Sequence, residues 1–287
     1  MATLQDFRTN ENAWWCPGCG DFGVLAAMQK ALVAVHANPA TTAIVAGIGC
    51  SGKIGNYINS YNLHVTHGRT LPAALGIKLA NRDLMVLVAG GDGDGYAIGM
   101  GHFMHSLRRN VNITYVVMDN HVYGLTKGQT SPTSEEGFKT KTTPQGSIER
   151  PIHPLMLAVS AGGTFVAQGF SSWQPQLASL IQKGIEHPGF SLINVISPCV
   201  TYNKVNTYDW YKKNLQNLDD DPTYQPTDRS RALTRLHESD EMVTGLIYQE
   251  ASTPYEALIP GFRETPLVHQ DLTVDETTWN KILSTLE

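Results

Sequence analysis

Gly91-Asp92-Gly93-Asp94-Gly95 follows the apolar run Leu84-Met85-Val86-Leu87-Val88, and Asn120 stands 28 positions after Asp92, closing the run Ile113-Thr114-Tyr115-Val116-Val117-Met118. A carboxylate and an amide oxygen at neighbouring strand ends are ligands that Mg²⁺ takes while keeping open positions for phosphates, and glycines let the backbone approach those phosphates. The two halves therefore point to one site for a metal-bound diphosphate. A dinucleotide fingerprint does not fit: the second and third glycines are too close, and two aspartates would face an anionic pyrophosphate unless a cation intervened. A calcium loop starting at Asp92 also fails, with Ala97 sixth and Phe103 twelfth where glycine and glutamate are needed. For the first half alone, an ordinary Gly-Asp turn is the plain alternative.

Four cysteines form a second group: Cys16 and Cys19 in Trp15-Cys16-Pro17-Gly18-Cys19, Cys50 after Gly49, and Cys199 after Ser197-Pro198. A redox Cys-x-x-Cys should follow a strand of a small βαβ domain, whereas this one follows a polar leader and would leave two cysteines unused. Structural disulfides do not suit a reducing compartment. Zinc and a [4Fe–4S] cluster both take four thiolates, and spacing alone does not separate them from each other or from unconnected thiols. Cys50 follows Ala43-Ile44-Val45-Ala46-Gly47 and Cys199 follows Leu192-Ile193-Asn194-Val195-Ile196. Both thus fall at strand ends, on the same rim as Asp92 and Asn120.

The elements that must position these groups alternate. Strand-like runs at Thr42–Ala46, Leu84–Ala89, Ile113–Met118, Thr164–Ala167 and Ser191–Ile196 are separated by helical patterns at Leu71–Leu79, Ala97–Leu107, Leu155–Ala161 and Trp173–Glu186. A further helix is expected over Phe22–His36, with Asp21 as its cap. This alternation predicts an α/β fold, a doubly wound and mostly parallel sheet, with ligands beyond the carboxyl ends of its strands. The stretch from His121 to His153 has little periodicity and begins straight after Asn120, which marks it as an active-site loop. Two regions are expected: residues 1–204 as the binding domain, and residues 205–287 as an extended acidic C-terminal arm with short helices near Ser230–Glu250 and Thr277–Leu286.

Charge divides the same way. The 287 residues carry a net charge of −5, but residues 1–204 hold 14 Lys+Arg against 11 Asp+Glu, and residues 205–287 hold 7 against 15. No basic stripe with interleaved aromatics suggests nucleic acid, and an acidic protein partner would be steered to the first part. No apolar run reaches transmembrane length and no basic, apolar leader opens the chain, so the sequence reads as cytoplasmic with no membrane association.

Gly91-Asp92-Gly93, a 26-residue spacer, then Asn120 with Tyr123-Gly124 just beyond resembles the thiamine diphosphate motif of thiamine-dependent enzymes. That resemblance implies Asp92, Asn120 and the main-chain carbonyl of Val122 as Mg²⁺ ligands. Joined to the four cysteines in their order, the motif resembles the β subunit of 2-oxoacid:ferredoxin oxidoreductases over roughly residues 14–206. The resemblance implies one [4Fe–4S] cluster on Cys16, Cys19, Cys50 and Cys199. It implies cofactor contacts at Ile48, Gly49, Cys50, Ser51, His67, Gly91, Gly93, Asp94, Gly124, Leu125 and Thr126, with Lys53, His67 and Leu125 as catalytic positions. Lys53 would meet the substrate carboxylate, as an anionic substrate needs a fixed cation.

The implied reaction is oxidative decarboxylation of a 2-oxoacid, with the acyl group passed to coenzyme A and electrons to ferredoxin. 2-Oxoglutarate is favoured over pyruvate or a broad substrate range. In thiamine enzymes a glutamate from a second α/β domain activates the aminopyrimidine, and too little patterned sequence follows Asn206 to build one. An α or fused γα subunit would therefore complete the site in an αβ or (αβ)₂ assembly. The rivals are a non-oxidative thiamine diphosphate decarboxylase or carboligase, and an iron–sulfur electron-transfer subunit without thiamine.

Overall fold

The computed structural model describes residues 2–259 and 265–286. Strands β1 (Thr42–Ala46), β2 (Tyr61–His64), β3 (Met85–Gly91), β4 (Ile113–Asp119), β5 (Phe165–Phe170), β6 (Phe190–Ile196), β7 (Gln216–Asn217) and β8 (Val243–Gln249) form one sheet. Its spatial order is β2-β1-β3-β4-β6-β5-β8-β7. Every neighbouring pair is parallel except β5 with β8. Every strand read from the sequence forms, with its ends displaced by three residues at most.

Seven helices position the sheet: α1 (Asp21–Ala34), α2 (Thr70–Ala80), α3 (Met100–Arg109), α4 (Pro154–Ser160), α5 (Gln174–Glu186), α6 (Tyr208–Asn214) and α7 (Arg229–Glu238). Ile44, Leu87, Ala89, Val116, Met118 and Ile193 pack toward α1 and α5, while Val45, Val86, Val88, Tyr115, Val117 and Leu192 pack toward α2, α3, α4 and α7. Strand side chains alternate between faces, so two covered faces demand the continuous apolar runs seen in the sequence. From β1 the chain turns first to its neighbour β2 and then crosses back to its other neighbour β3. That reversal opens a crevice beyond the carboxyl ends of β1 and β3, where such sheets take ligands.

Several local expectations need correction. The single helix expected over Ala97–Leu107 is instead a π-helical turn, Gly93–Ile98, followed by α3. The wide turn closes through Gly99 N–H donating to the Asp94 carbonyl at 3.1 Å, and a Cβ at Gly99 would lie 2.4 Å from that oxygen. Asp21 does not cap α1; it is the first helical residue, and its buried carboxylate accepts from Ser197 Oγ at 2.7 Å. At the other end His36, with φ +55°, lies beyond the helix.

Within the Ser230–Glu250 stretch, the expected short helix forms only in the first half. α7 stops at Glu238, Asp240 and Glu241 adopt left-handed φ of +51° and +58°, and β8 then adds an antiparallel strand beside β5. The β-branched and aromatic content of Val243-Thr244-Gly245-Leu246-Ile247-Tyr248 suits a strand, and both its faces are largely buried. Beyond α8 (Tyr255–Leu258), helix α9 (Glu276–Leu283) forms within a segment, residues 271–286, that is exposed throughout. No helix of the described residues is long and apolar enough to cross a membrane.

Candidate active site

Three chain segments leave the sheet at its carboxyl rim and meet. After β1, Gly47 to Ser51 turn sharply, with Gly49 at φ +108°. After β3, Asp92 opens the π-helical turn. After β4, Asn120 Oδ1 accepts from Val122 N–H at 3.0 Å, folding the chain so that His121 between them takes φ +58°. Residues 48–51, 67, 91–94, 120 and 122–126 line one cavity of about 100 Å³. Ile48, Gly49, Cys50, Ser51, His67, Gly91, Gly93, Asp94, Gly124, Leu125 and Thr126 are thus together, with Asp92, Asn120 and Val122 among them. Tyr123, part of the motif but given no site role in the sequence reading, also lines the cavity, and its hydroxyl donates to the Gly93 carbonyl at 3.2 Å.

The carboxylates in this cavity differ in their duties. Asp92 is buried; its Oδ2 accepts from Ser131 Oγ at 2.5 Å and Thr133 Oγ1 at 2.8 Å, leaving Oδ1 without a hydrogen bond among the described residues. Burial, then the neighbouring Asp119 carboxylate, push the Asp92 carboxyl up to about 7. A divalent cation would relieve that cost, so the pair fits Mg²⁺. Asp94 instead turns inward, its Oδ1 lying 2.7 Å from His67 Nδ1, 2.8 Å from Gly68 N and 3.3 Å from Ile48 N. Its buried Oδ2 has no hydrogen-bond partner among the described residues and lies against Gly47, where a Cβ would stand 2.4 Å away. The Asp94 side chain therefore fixes the walls of the cavity.

A second cavity, of about 200 Å³, is lined by all four cysteines together with Trp14, Trp15, Lys53 and others. Cys50, Asn120, Gly124 and Leu125 line both cavities, so the two share a wall. A Cβ built at Gly124 would lie 3.6 Å from both Cys50 Sγ and Cys199 Sγ, so these sulfurs are no farther apart than twice that distance. The amino-terminal cysteine loop is tied to the Cys199 loop by Gly20 N–H donating to the Pro198 carbonyl at 3.2 Å, and Trp15 Nε1–H donates to the Cys50 carbonyl at 2.8 Å.

All four thiols are free. Burial and then Asp21 push the Cys50 thiol up to about 11 and Cys19 higher still. Thiolates so placed need positive charge among them, and a thiol bound to a metal centre is deprotonated outright. Among the described residues no three His, Cys, Asp or Glu side chains converge closely enough to hold a single ion. Four thiols lining one cavity are a donor set that zinc or an iron–sulfur cluster takes. Lys53 does not line the first cavity; it stands in the second, its Nζ donating to the Trp14 carbonyl at 3.0 Å.

Sequence reasoning missed Asp119, Ser131 and Thr133, all buried beside Asp92. For the two hydroxyls the signal was the hydroxyl-rich Thr130-Ser131-Pro132-Thr133-Ser134 inside the loop already marked as functional, and for Asp119 its place directly before Asn120.

Residues 47–195 match the family described as thiamine pyrophosphate enzyme, C-terminal TPP binding domain, and residues 199–264 match the family of the C-terminal region of the pyruvate ferredoxin oxidoreductase beta subunit. The chain is 43% identical over 272 residues to a 2-oxoacid:ferredoxin oxidoreductase subunit beta of Saccharolobus solfataricus, covering 89% of each. It is 43% identical over 205 residues to a 2-oxoglutarate synthase subunit KorB of Archaeoglobus fulgidus, covering 71% of this chain and 76% of that one. Among solved structures, a 2-oxoglutarate:ferredoxin oxidoreductase from Magnetococcus marinus, with 2-oxoglutarate, coenzyme A and succinyl-CoA bound, superposes with a TM-score of 0.91 at 36% identity. That match covers 100% of this chain and 96% of its own.

Proposed function

The chain belongs to the β subunits of 2-oxoacid:ferredoxin oxidoreductases, thiamine diphosphate-dependent enzymes, and from that premise we propose that it oxidatively decarboxylates 2-oxoglutarate with coenzyme A. The products are succinyl-CoA, CO₂ and reduced ferredoxin, formed in the cytoplasm within an αβ or (αβ)₂ assembly. The observation that supports this reading is the wall of Cys50, Asn120, Gly124 and Leu125 shared by the two cavities. The KorB relative and the 2-oxoglutarate-bound structural neighbour support the choice of substrate. The match of residues 199–264 to a pyruvate-named family keeps pyruvate as the second reading.

When bound, thiamine diphosphate supplies the electron sink for decarboxylation and a [4Fe–4S] cluster supplies one-electron transfer. Asp92 Oδ1, Asn120 and the Val122 carbonyl offer oxygens to Mg²⁺. Gly91, Gly93 and Gly124 keep the cavity wall free of side chains where phosphates approach, and Ile48, Gly49, Ser51 and Thr126 complete that wall. Asp94 holds His67 in one orientation at its edge. Leu125, half exposed at the rim and lining both cavities, shields the space between them. Lys53 supplies the cation for the substrate carboxylate from the thiol side of the shared wall. Cys16, Cys19, Cys50 and Cys199 ligate the cluster, and the open face is closed over by the α partner.

The test is the assembled enzyme, assayed for viologen or ferredoxin reduction with coenzyme A and a panel of 2-oxoacids, alongside its absorption spectrum and thiamine diphosphate content. The highest kcat/KM is expected for 2-oxoglutarate, with stoichiometric thiamine diphosphate and a broad iron–sulfur band near ~400 nm. A higher kcat/KM for pyruvate would replace the substrate. A colourless protein would remove the cluster.

A further inference from the structure

One short turn touches both halves of the proposed metal site. Ser131 Oγ and Thr133 Oγ1 donate to Asp92 Oδ2 at 2.5 and 2.8 Å, on the half that follows β3. On the half that follows β4, Ser134 Oγ donates to the His121 carbonyl at 2.7 Å, and the Thr133 carbonyl lies 2.6 Å from His121 Nδ1. His121 is the left-handed residue between Asn120 and Val122. The turn is itself closed by Ser131 N–H donating to Ser134 Oγ at 2.8 Å and Ser134 N–H to the Ser131 carbonyl at 3.0 Å. Ser131, Thr133 and Ser134 are all buried. Thr133 Oγ1 also lies 2.7 Å from Asp119 Oδ1, so one hydroxyl sits between two buried carboxylates.

We infer that Ser131, Thr133 and Ser134 are positioning residues that clamp the β3 and β4 halves of the Mg²⁺ site at a fixed separation and leave Asp92 Oδ1 as the oxygen offered to the ion. This rests on the ligand set proposed above. Ser131 Oγ donates to Oδ2, and the single proton of Thr133 Oγ1 is shared between Oδ2 and Asp119 Oδ1, which together set the rotation of the carboxylate. The bonds to His121 set the direction of the Asn120 amide and the Val122 carbonyl. Partners that orient metal ligands in this way tune affinity without touching the ion, and losing them typically weakens metal binding about 10–100-fold.

The experiment uses the assembled enzyme, stripped of metal with a chelator and titrated with Mg²⁺ at fixed thiamine diphosphate, with heat of binding as the readout. Ser131→Ala/Thr133→Val should raise the Mg²⁺ Kd about 10–100-fold, with the cysteine-cluster spectrum intact. Thr133→Ser alone, which keeps the hydroxyl, should leave the Kd close to wild type. Should the double variant fail to fold, Ser131→Ala alone must still raise the Kd. An unchanged Kd in the double variant, while Asp92→Ala loses Mg²⁺, would overturn the clamp. If Asp92→Ala itself keeps wild-type affinity, the ligand set falls and the clamp with it.

Discussion

His67 Nδ1 stands 2.7 Å from Asp94 Oδ1, and that carboxylate also receives Gly68 N–H from the same turn and Ile48 N–H from the turn after β1. One buried side chain thereby joins three loops of the first cavity. Gly47 makes the arrangement possible, since a methyl there would meet Asp94 Oδ2 at 2.4 Å. Gly47→Ala should therefore displace Asp94 and weaken thiamine diphosphate binding at saturating Mg²⁺ by about tenfold or more, the scale of losing one or two charge-assisted hydrogen bonds. Quenching of tryptophan fluorescence on cofactor addition measures it. Wild-type affinity would mean that the three loops hold their places without Asp94.

Cys199 comes from the loop after β6, and Cys16, Cys19 and Cys50 from elsewhere in the chain. Cys199→Ala leaves three thiols for a four-thiolate group, so iron content should fall and ferredoxin reduction should stop while thiamine diphosphate still binds. Four irons per chain, or unimpaired electron transfer, would count against the assignment.

Lys53 lies across the shared wall from the first cavity, with its Nζ on the Trp14 carbonyl. If it also meets the substrate carboxylate, Lys53→Met should lower kcat/KM about 10²-fold, the scale of losing a hydrogen bond to a charged group. Cluster and cofactor content should be unchanged. Steady-state kinetics near wild type would return Lys53 to a purely structural contact.

Glu241 gives a pH dependence. Burial pushes its carboxyl up to about 8, against the opposing N–H groups of Met156 and Leu155 at the start of α4. A carboxyl whose folded pKa is raised binds its proton more tightly when folded, so it contributes stability below its unfolded pKa and loses it as pH rises through the folded one. Thermal stability should accordingly decline from about pH 4.5 to about pH 8. Glu241→Gln should flatten that slope, as seen by melting curves across the range. An equal slope in the variant would place the titration elsewhere.

Much of the site was legible because its residues follow strand ends, where runs such as Leu84-Met85-Val86-Leu87-Val88 announce a strand buried on both faces. β2 was not, since it is only four residues long and its alternating Tyr61-Asn62-Leu63-His64 lies exposed on an edge, facing no core. β8 was hidden by the helical pattern of α7 running up to it, and only the left-handed turn at Asp240 and Glu241 separates the two. The duties of Asp94, Ser131 and Thr133 depend on partners 27 to 41 residues away, a separation that leaves no local spacing to read.

The hydrogen bond from Gly20 to Pro198 joins two parts of the chain that are 178 residues apart. During synthesis, the loop bearing Cys16 and Cys19 cannot meet the Cys199 turn until β6 and the turn beyond it have left the ribosome. Contacts this distant in sequence close late, because the entropy of the intervening chain is lost before they return anything. The thiol cavity is therefore finished after most of the sheet, when the Cys199 turn meets an amino-terminal loop that Trp15 already ties to the Cys50 turn.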